Sequence, residues 1–366
     1  KLVIEEQQRP WDVRLVNLQE LLDPLDVFRK VLGRRLQDIY NLLLRKGWTL
    51  GSSQLCAMMH AIIRSTHPQQ VRLIEEHWRA SRPDLAVSLV QNFNRALRES
   101  LLNVCPAAPF VTVLTDLADY PPHFWIERQE QYLVCGTDRA VEQAKELGHA
   151  EDHIFRVSGM ILHPRFYEPI TVDVAAGRRR LGLDPARTTG LVMFGGEGAK
   201  VMSGILKELD GSGLNLQLIF ICGRNEVLAR KLREHRASVP MFVEGFTPEV
   251  PYYMHLSDFL IGKPGPGSLS EAMAMKLPVI VQCNAWTLPQ ERYNAVWVRQ
   301  HQTGLVLSSF RRIRQAVREL TEPAALARYK ANAAAIRNRA VFEVPGILER
   351  LLAAPPASAG SAPKGP

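Results

Sequence analysis

The chain has 366 residues, 46% hydrophobic and 22% charged, enough for two globular domains and too apolar for a disordered protein. Its formal charge of +8 favours an anionic partner, whether a nucleotide, an acidic lipid surface or a nucleic acid, and charge alone does not separate these. No run of 18 or more apolar residues reads as a membrane span, and Cys56, Cys105, Cys135, Cys222 and Cys283 form neither a C-x-x-C pair nor a metal-spaced set, as expected of reduced thiols in a cytoplasmic protein.

Lys1 to Gln8 reads as the last turns of a helix, and Asp12-Val13-Arg14-Leu15-Val16-Asn17-Leu18 alternates in the manner of a strand. A chain that opens inside a helix is expected to continue upstream. From Pro24 to Arg64 the residues Leu25, Phe28, Val31, Leu32, Leu36, Ile39, Tyr40 and Leu43 recur at helical steps. Arg29, Lys30, Arg34, Arg35, Arg45 and Lys46 lie between and after them, followed by Trp48. Two readings fit: a core-packed helix with a solvated basic side, or a basic amphipathic surface on anionic lipid, with Arg34, Arg35, Lys46 and Trp48 at the interface.

A β/α alternation follows. Helix is expected over Val71–Ser81, strand over Asp84–Leu89, strand over Phe110–Thr115, strand over Gln131–Cys135, helix over Arg139–Leu147 capped by Thr137 or Asp138, and a short strand over Ile154–Ser158. Around Pro164 to Arg178 the pattern lapses into a linker, so domains are expected at 1–168 and 169–352, with a disordered Pro/Ala/Gly/Ser tail over 353–366. The second domain repeats the alternation. Thr189–Phe194 runs into Gly195-Gly196-Glu197-Gly198, Leu216–Cys222 into Gly223-Arg224-Asn225, and Val239–Val243 into Gly245-Phe246. Asp258–Gly262 runs into Lys263-Pro264-Gly265-Pro266-Gly267-Ser268, and Leu277–Val281 leads to a helix opened by Pro289-Gln290-Glu291. Two further helices are expected to finish the fold near Leu352. Such alternation implies an α/β fold of two doubly wound, mostly parallel sheets, whose ligands sit beyond the carboxyl ends of the strands.

Position then nominates residues. Asp116 and His123 follow a strand end, Asp116 as a site residue or a turn cap, His123 as a site residue or a surface imidazole. The Lys263–Ser268 loop has glycines that leave a ligand room, and Ser268 can cap the next helix, whose orphan N–H groups and positive dipole end suit a phosphate or diphosphate. Glu271, three residues on, reads as a ligand contact or as the partner in a capping box.

The motifs Gly195-Gly-Glu-Gly198, Ile221-Cys-Gly-Arg-Asn225, Val243-Glu-Gly-Phe246, Lys263-Pro-Gly-Pro-Gly-Ser268 with Glu271-Ala272-Met273, and Gln290-Glu291 with Asn294 fall in the order and spacing of one family. The chain resembles the monogalactosyldiacylglycerol synthases and bacterial diacylglycerol glucosyltransferases, of glycosyltransferase family 28, over roughly residues 10 to 350. Thr115-Asp116-Leu117 and Gly159-Met-Ile-Leu-His-Pro-Arg-Phe166 agree in the amino half. The resemblance implies the GT-B architecture, two Rossmann-like domains facing across a cleft, and an inverting hexosyltransferase. It implies UDP-galactose or UDP-glucose as donor, diacylglycerol as acceptor, no further cofactor, and peripheral association with an anionic inner-membrane surface. Alternatives are a transferase of this fold acting on another lipid or small molecule, and a nucleotide-binding relative without turnover. Nucleic-acid binding has only the net charge behind it.

On that resemblance, an inverting transfer needs the leaving diphosphate stabilised, the sugar held and a base for the acceptor hydroxyl. Gly265, Pro266, Gly267 and Ser268 suit the diphosphate, Gln290 and Glu291 suit the sugar hydroxyls and ribose, and Glu271 and Asn294 are further donor-binding candidates. Gly245 and Phe246 suit uracil, Gly196 and Glu197 line the donor, and Arg224 contacts nucleotide or phosphate. No Asp-x-Asp pair is present, so no metal site is expected. The family's favoured base is a His on a glycine loop after the first strand, which the resemblance places ahead of Lys1. The amino-terminal sheet is therefore expected to lack that strand, leaving Asp116 and His123 as candidate bases.

Overall fold

The computed structural model describes residues 1–25, 60–120 and 123–354. The basic segment with Arg34, Arg35, Lys46 and Trp48, and the tail beyond Ala354, lie outside the described residues. Two units emerge: Leu162–Asn338, and a unit formed by the described residues before Leu162 together with Arg339 onward.

The first unit is built on a parallel sheet in the order β1-β2-β3-β4, with β1 at Ala86–Ser88, β2 at Phe110–Val113, β3 at Tyr132–Cys135 and β4 at Ile154–Arg156. Its first helices are α1 (Leu2–Glu6) and α2 (Leu18–Leu21); α3 (His67–Ser81), α4 (Asn94–Val104) and α5 (Asp138–Glu146) follow. Alternation along β2 sorts its side chains onto two faces. Phe110 joins Ile74, Leu97 and Leu101 of α3 and α4. Val111 and Val113 instead meet Ala340, Ile347, Leu348 and Leu351. These last residues belong to the final helix, Ala340–Ala353, which completes this unit, whereas the sequence reading assigned it to the second domain. Glu343 fastens it, accepting from the amide and hydroxyl of Ser158 at 2.8 and 2.6 Å.

Residues 12–18 correct the reading of a strand. Leu15 is exposed, and Leu18 starts α2, capped by Asn17, whose side chain accepts from the Gln19 amide. Alternation makes a strand only where a partner supplies hydrogen bonds, and none pairs with this segment among the described residues.

In the second unit, six parallel strands run in the order β10-β9-β8-β5-β6-β7. They are β5 (Thr188–Met193), β6 (Leu216–Ile221), β7 (Met241–Glu244), β8 (Phe259–Gly262), β9 (Val279–Gln282) and β10 (Gly304–Leu307). The helices are α6 (Val174–Arg180), α7 (Val201–Leu209), α8 (Glu226–Glu234), α9 (Val250–His255), α10 (Pro266–Ala274), α11 (Pro289–Gln300), α12 (Ile313–Leu320) and α13 (Pro323–Ala335). With α14 (Ala340–Ala353), three helices rather than two follow β10. Met202, Ile205, Leu206 and Leu209 of α7 pack with Leu228 and Leu232 of α8 and with Ile313, Val317 and Leu320 of α12 against β5 and β6. The strand order reverses between β5 and β8, and in such sheets that reversal opens the ligand crevice. The expected linker contains a helix, α6, because Arg178 is buried there and donates to the carbonyls of Leu256, Pro185 and Arg187 and to Asp258.

Candidate functional site

Four loops leave the carboxyl ends of β5, β6, β7 and β8, and their residues interlock. After β6 the chain turns at Gly223 with φ +57°, a left-handed conformation, and its backbone passes so close to Gly196 that no side chain fits. The next amide, of Arg224, donates to the Gly196 carbonyl at 2.8 Å. The Arg224 guanidinium then lies 4.5 Å from the centre of the Phe246 ring and 3.6 Å from a Glu197 carboxylate oxygen. Gly196, Glu197, Arg224, Gly245 and Phe246 are thus one cluster, with Phe246 and Arg224 exposed. Glu244 sets the exit of β7, accepting from the Gly245 amide at 2.8 Å and from the Tyr253 hydroxyl at 2.7 Å. Burial and the Glu244 carboxylate raise the Tyr253 hydroxyl's pKa, so this phenol stays protonated.

The second cluster gathers at β8. The structure moves the helix start one turn earlier than the sequence reading: Gly265, not Ser268, is the N-cap of α10, and Pro266 is the first helical residue. Proline at that position fixes φ for the helix and has no N–H, so the first-turn donors come from Gly265, Gly267 and Ser268. With Ser268 inside the helix, the capping box with Glu271 does not form, and no side chain caps α10. Glu271 is half-buried in the second turn, and burial pushes its carboxyl up to about 7.

Helix α11 supports this loop from behind. Glu291, at its third position, is buried, and its Oε1 lies 2.5 Å from Lys263 Nζ. Asn294, one turn on, is fully buried and donates to the Pro264 carbonyl at 2.8 Å. Its side chain therefore holds the loop rather than lining open space. Gln290 is half-buried at the second helical position. Lys263 is the residue that sequence reasoning did not nominate, although a cation directly after a strand end was visible; its partner lies 28 positions away.

Asp116 and His123 belong to the first unit. Asp116 is buried, accepting at Oδ2 from the Trp125 indole at 2.9 Å and from Gln91 at 2.8 Å. Asp119, missed in sequence, is buried beside it and accepts from the amides of Trp125 and His123 at 2.7 and 3.0 Å. Burial raises the Asp119 pKa against the pull of those amides. The two carboxylates hold the strand-end turn around a buried Trp125. His123 is exposed, at φ +67°, with Nδ1 3.2 Å from the Ile126 carbonyl.

This architecture has the GT-B fold. Solved structures sharing it include Acinetobacter baumannii MurG, with a TM-score of 0.55 and 11% identity over 78% of this chain and 80% of that one. They also include a UDP complex of Staphylococcus aureus MnaA, with a TM-score of 0.54 and 13% identity over 79% of this chain and 80% of that one. At such identities the likeness is one of fold. Residues 190–350 match the glycosyltransferase family 28 C-terminal domain. Similar proteins include monogalactosyldiacylglycerol synthase 1 of Arabidopsis thaliana, 31% identical over 222 residues, which are 59% of this chain and 41% of the relative. A probable monogalactosyldiacylglycerol synthase 2 of Oryza sativa subsp. japonica is 32% identical over 249 residues, 65% of this chain and 52% of the relative. The chain spans about half the length of these relatives.

Proposed function

We propose that the protein is a UDP-sugar-dependent hexosyltransferase that moves galactose or glucose onto diacylglycerol, with inversion, at a membrane surface. The observation that carries this reading is the convergence of two groups at the carboxyl edge of the second sheet. An exposed Arg224–Phe246 pair suits a uracil and its phosphate, and the uncapped start of α10, with Lys263 over it, suits a diphosphate. Glu271 suits ribose hydroxyls and Glu291 the sugar. Helix dipole, backbone donors and Lys263 supply positive charge for the leaving diphosphate, so the reading requires no metal. The similarity to monogalactosyldiacylglycerol synthases supports the lipid acceptor. Of the two candidate bases, His123 has the exposed ring and Asp116 is committed to the Trp125 turn.

No helix among the described residues is long and apolar enough to cross a membrane. Peripheral binding through Arg34, Arg35, Lys46 and Trp48 is part of the proposal, each cation near an anionic surface being worth about 1 kcal/mol. The test is a panel of UDP- and other nucleotide-sugars offered with diacylglycerol in anionic and neutral vesicles, at low and high salt, with product analysis. We expect transfer from UDP-galactose or UDP-glucose, greater on anionic vesicles and reduced by salt. Transfer to a soluble acceptor but not to diacylglycerol would favour the small-molecule alternative, and UDP binding without any transfer the non-catalytic one.

A further inference from the structure

Two opposite charges meet over the start of α10. Lys263 comes from the strand end and Glu291 from α11, with Nζ and Oε1 2.5 Å apart. The Glu291 side chain is only 8% exposed and that of Lys263 is 42% exposed, so the carboxylate is buried and the ammonium half-open to solvent. Both hang over the N-cap: a Cβ on Gly265 would lie 3.7 Å from Glu291 Oε1 and 3.7 Å from Lys263 Nζ. Lys263 also borders β5, its Cε being 3.8 Å from where a Cβ on Gly195 would sit. An uncapped helix start attracts an anion. Here the protein places a carboxylate of its own beside that position.

We propose, on the reading that this loop takes the donor diphosphate, that Glu291 competes with the diphosphate for Lys263 and so makes the site select UDP-hexose over UDP. The two partners differ in mobility. Lys263 carries a point charge on a flexible stem and can swing to a phosphate oxygen. Glu291 is fixed by burial on α11, and the loop itself stays in place because Asn294 of the same helix holds the Pro264 carbonyl. When the ammonium turns to the diphosphate, a buried carboxylate is left without its partner, which is unfavourable. A hexose on the diphosphate brings hydroxyl donors to that carboxylate and offsets the loss, whereas UDP alone brings none. The ion pair thus links the group that stabilises the leaving diphosphate to the group that reads the sugar, and weakens the hold on the product.

The test is calorimetric titration of UDP, UDP-glucose and UDP-galactose into the parent chain and into Glu291→Gln, Lys263→Met, Lys263→Arg and the Lys263→Met/Glu291→Gln double variant, each first shown to unfold cooperatively. Lys263→Met should bind UDP about 10- to 100-fold more weakly, the worth of a hydrogen bond to a charged group. Lys263→Arg, which keeps the charge, should retain most of the affinity. Glu291→Gln should bind UDP about 2- to 5-fold more tightly, the worth of a half-exposed ion pair, and UDP-hexose no better than the parent does. In the double variant the gain should vanish, because the competitor matters only while Lys263 is present. Glu291→Gln weakening UDP as Lys263→Met does would overturn the proposal, as would Lys263→Met binding UDP like the parent. A parent chain that binds none of the three ligands would instead remove the functional reading on which the coupling stands.

Discussion

Gly223→Ala is expected to lower the stability of the second unit by about 2–5 kcal/mol and to abolish UDP binding at concentrations that saturate the parent chain. Two effects add. At φ +57° an alanine Cβ is strained against its own backbone. That Cβ would also lie 2.5 Å from the Gly196 carbonyl carbon and closer still to its oxygen, both backbone atoms that no side-chain rotation can move. Relief requires parting the loops after β5 and β6, which breaks the Arg224 amide bond to Gly196 and carries the guanidinium away from Phe246. Gly204→Ala is the control. It lies within α7 with nothing near its added Cβ, and alanine is favoured over glycine in a helix by about 1 kcal/mol. Thermal unfolding with calorimetry checks both, and a Gly223→Ala chain as stable as the parent would show that the loops do not depend on this approach.

Asp258→Ala should cost about 3–5 kcal/mol, because it leaves a buried cation without its counter-charge. Asp258 opens β8 at the end remote from the loops. It accepts from Arg178 at 2.9 Å, from the Thr189 amide at 2.9 Å and from Lys330 at 2.8 Å. Burial would push this carboxyl up, but the Lys330 and Thr189 hydrogen bonds and the Lys330 and Arg178 charges outweigh it and hold the pKa below its ordinary value of 3.8. The folded-state pKa is therefore depressed. Its stabilisation is present above the unfolded value and is lost as pH falls through the folded one. Urea unfolding of parent and Asp258→Asn should show a stability gap that holds from neutral pH to about pH 5 and closes below about pH 4. A gap that does not depend on pH would show that the charge of Asp258 is not what stabilises the unit. UDP binding by the folded variant should match the parent, since the loops lie at the other end of the strands.

The sequence made the second sheet legible because β5, β6, β7 and β8 are each a short apolar run ended by glycine, and a glycine at a strand end marks where backbone must approach backbone or ligand. Gly195–Gly198, Gly223, Gly245 and Gly265 were all visible in this way. The cap of α10 was misplaced because Ser268 is the better capping side chain, yet Pro266 had already fixed the first helical position. The Lys263–Glu291 pair is tertiary, joining the ends of two different βα units, and no local pattern reports it. Residues 12–18 alternate without a partner strand, and α6 is a seven-residue helix held by the buried Arg178 rather than by its own propensity. Which sheet α14 covers was likewise hidden, since an apolar helix face does not name the surface it will meet.

Hydrogen–deuterium exchange with and without saturating UDP tests most directly the claim that the carboxyl edge of the second sheet is the donor site. Protection is expected at the loops around Gly196 and Glu197, Gly223 and Arg224, Gly245 and Phe246, and at Lys263 to Ser268 with the first turn of α11. The amino ends of the same strands, around Thr189 and Asp258, should be unchanged. Protection absent from these loops, or found only in the first unit, would contradict the account.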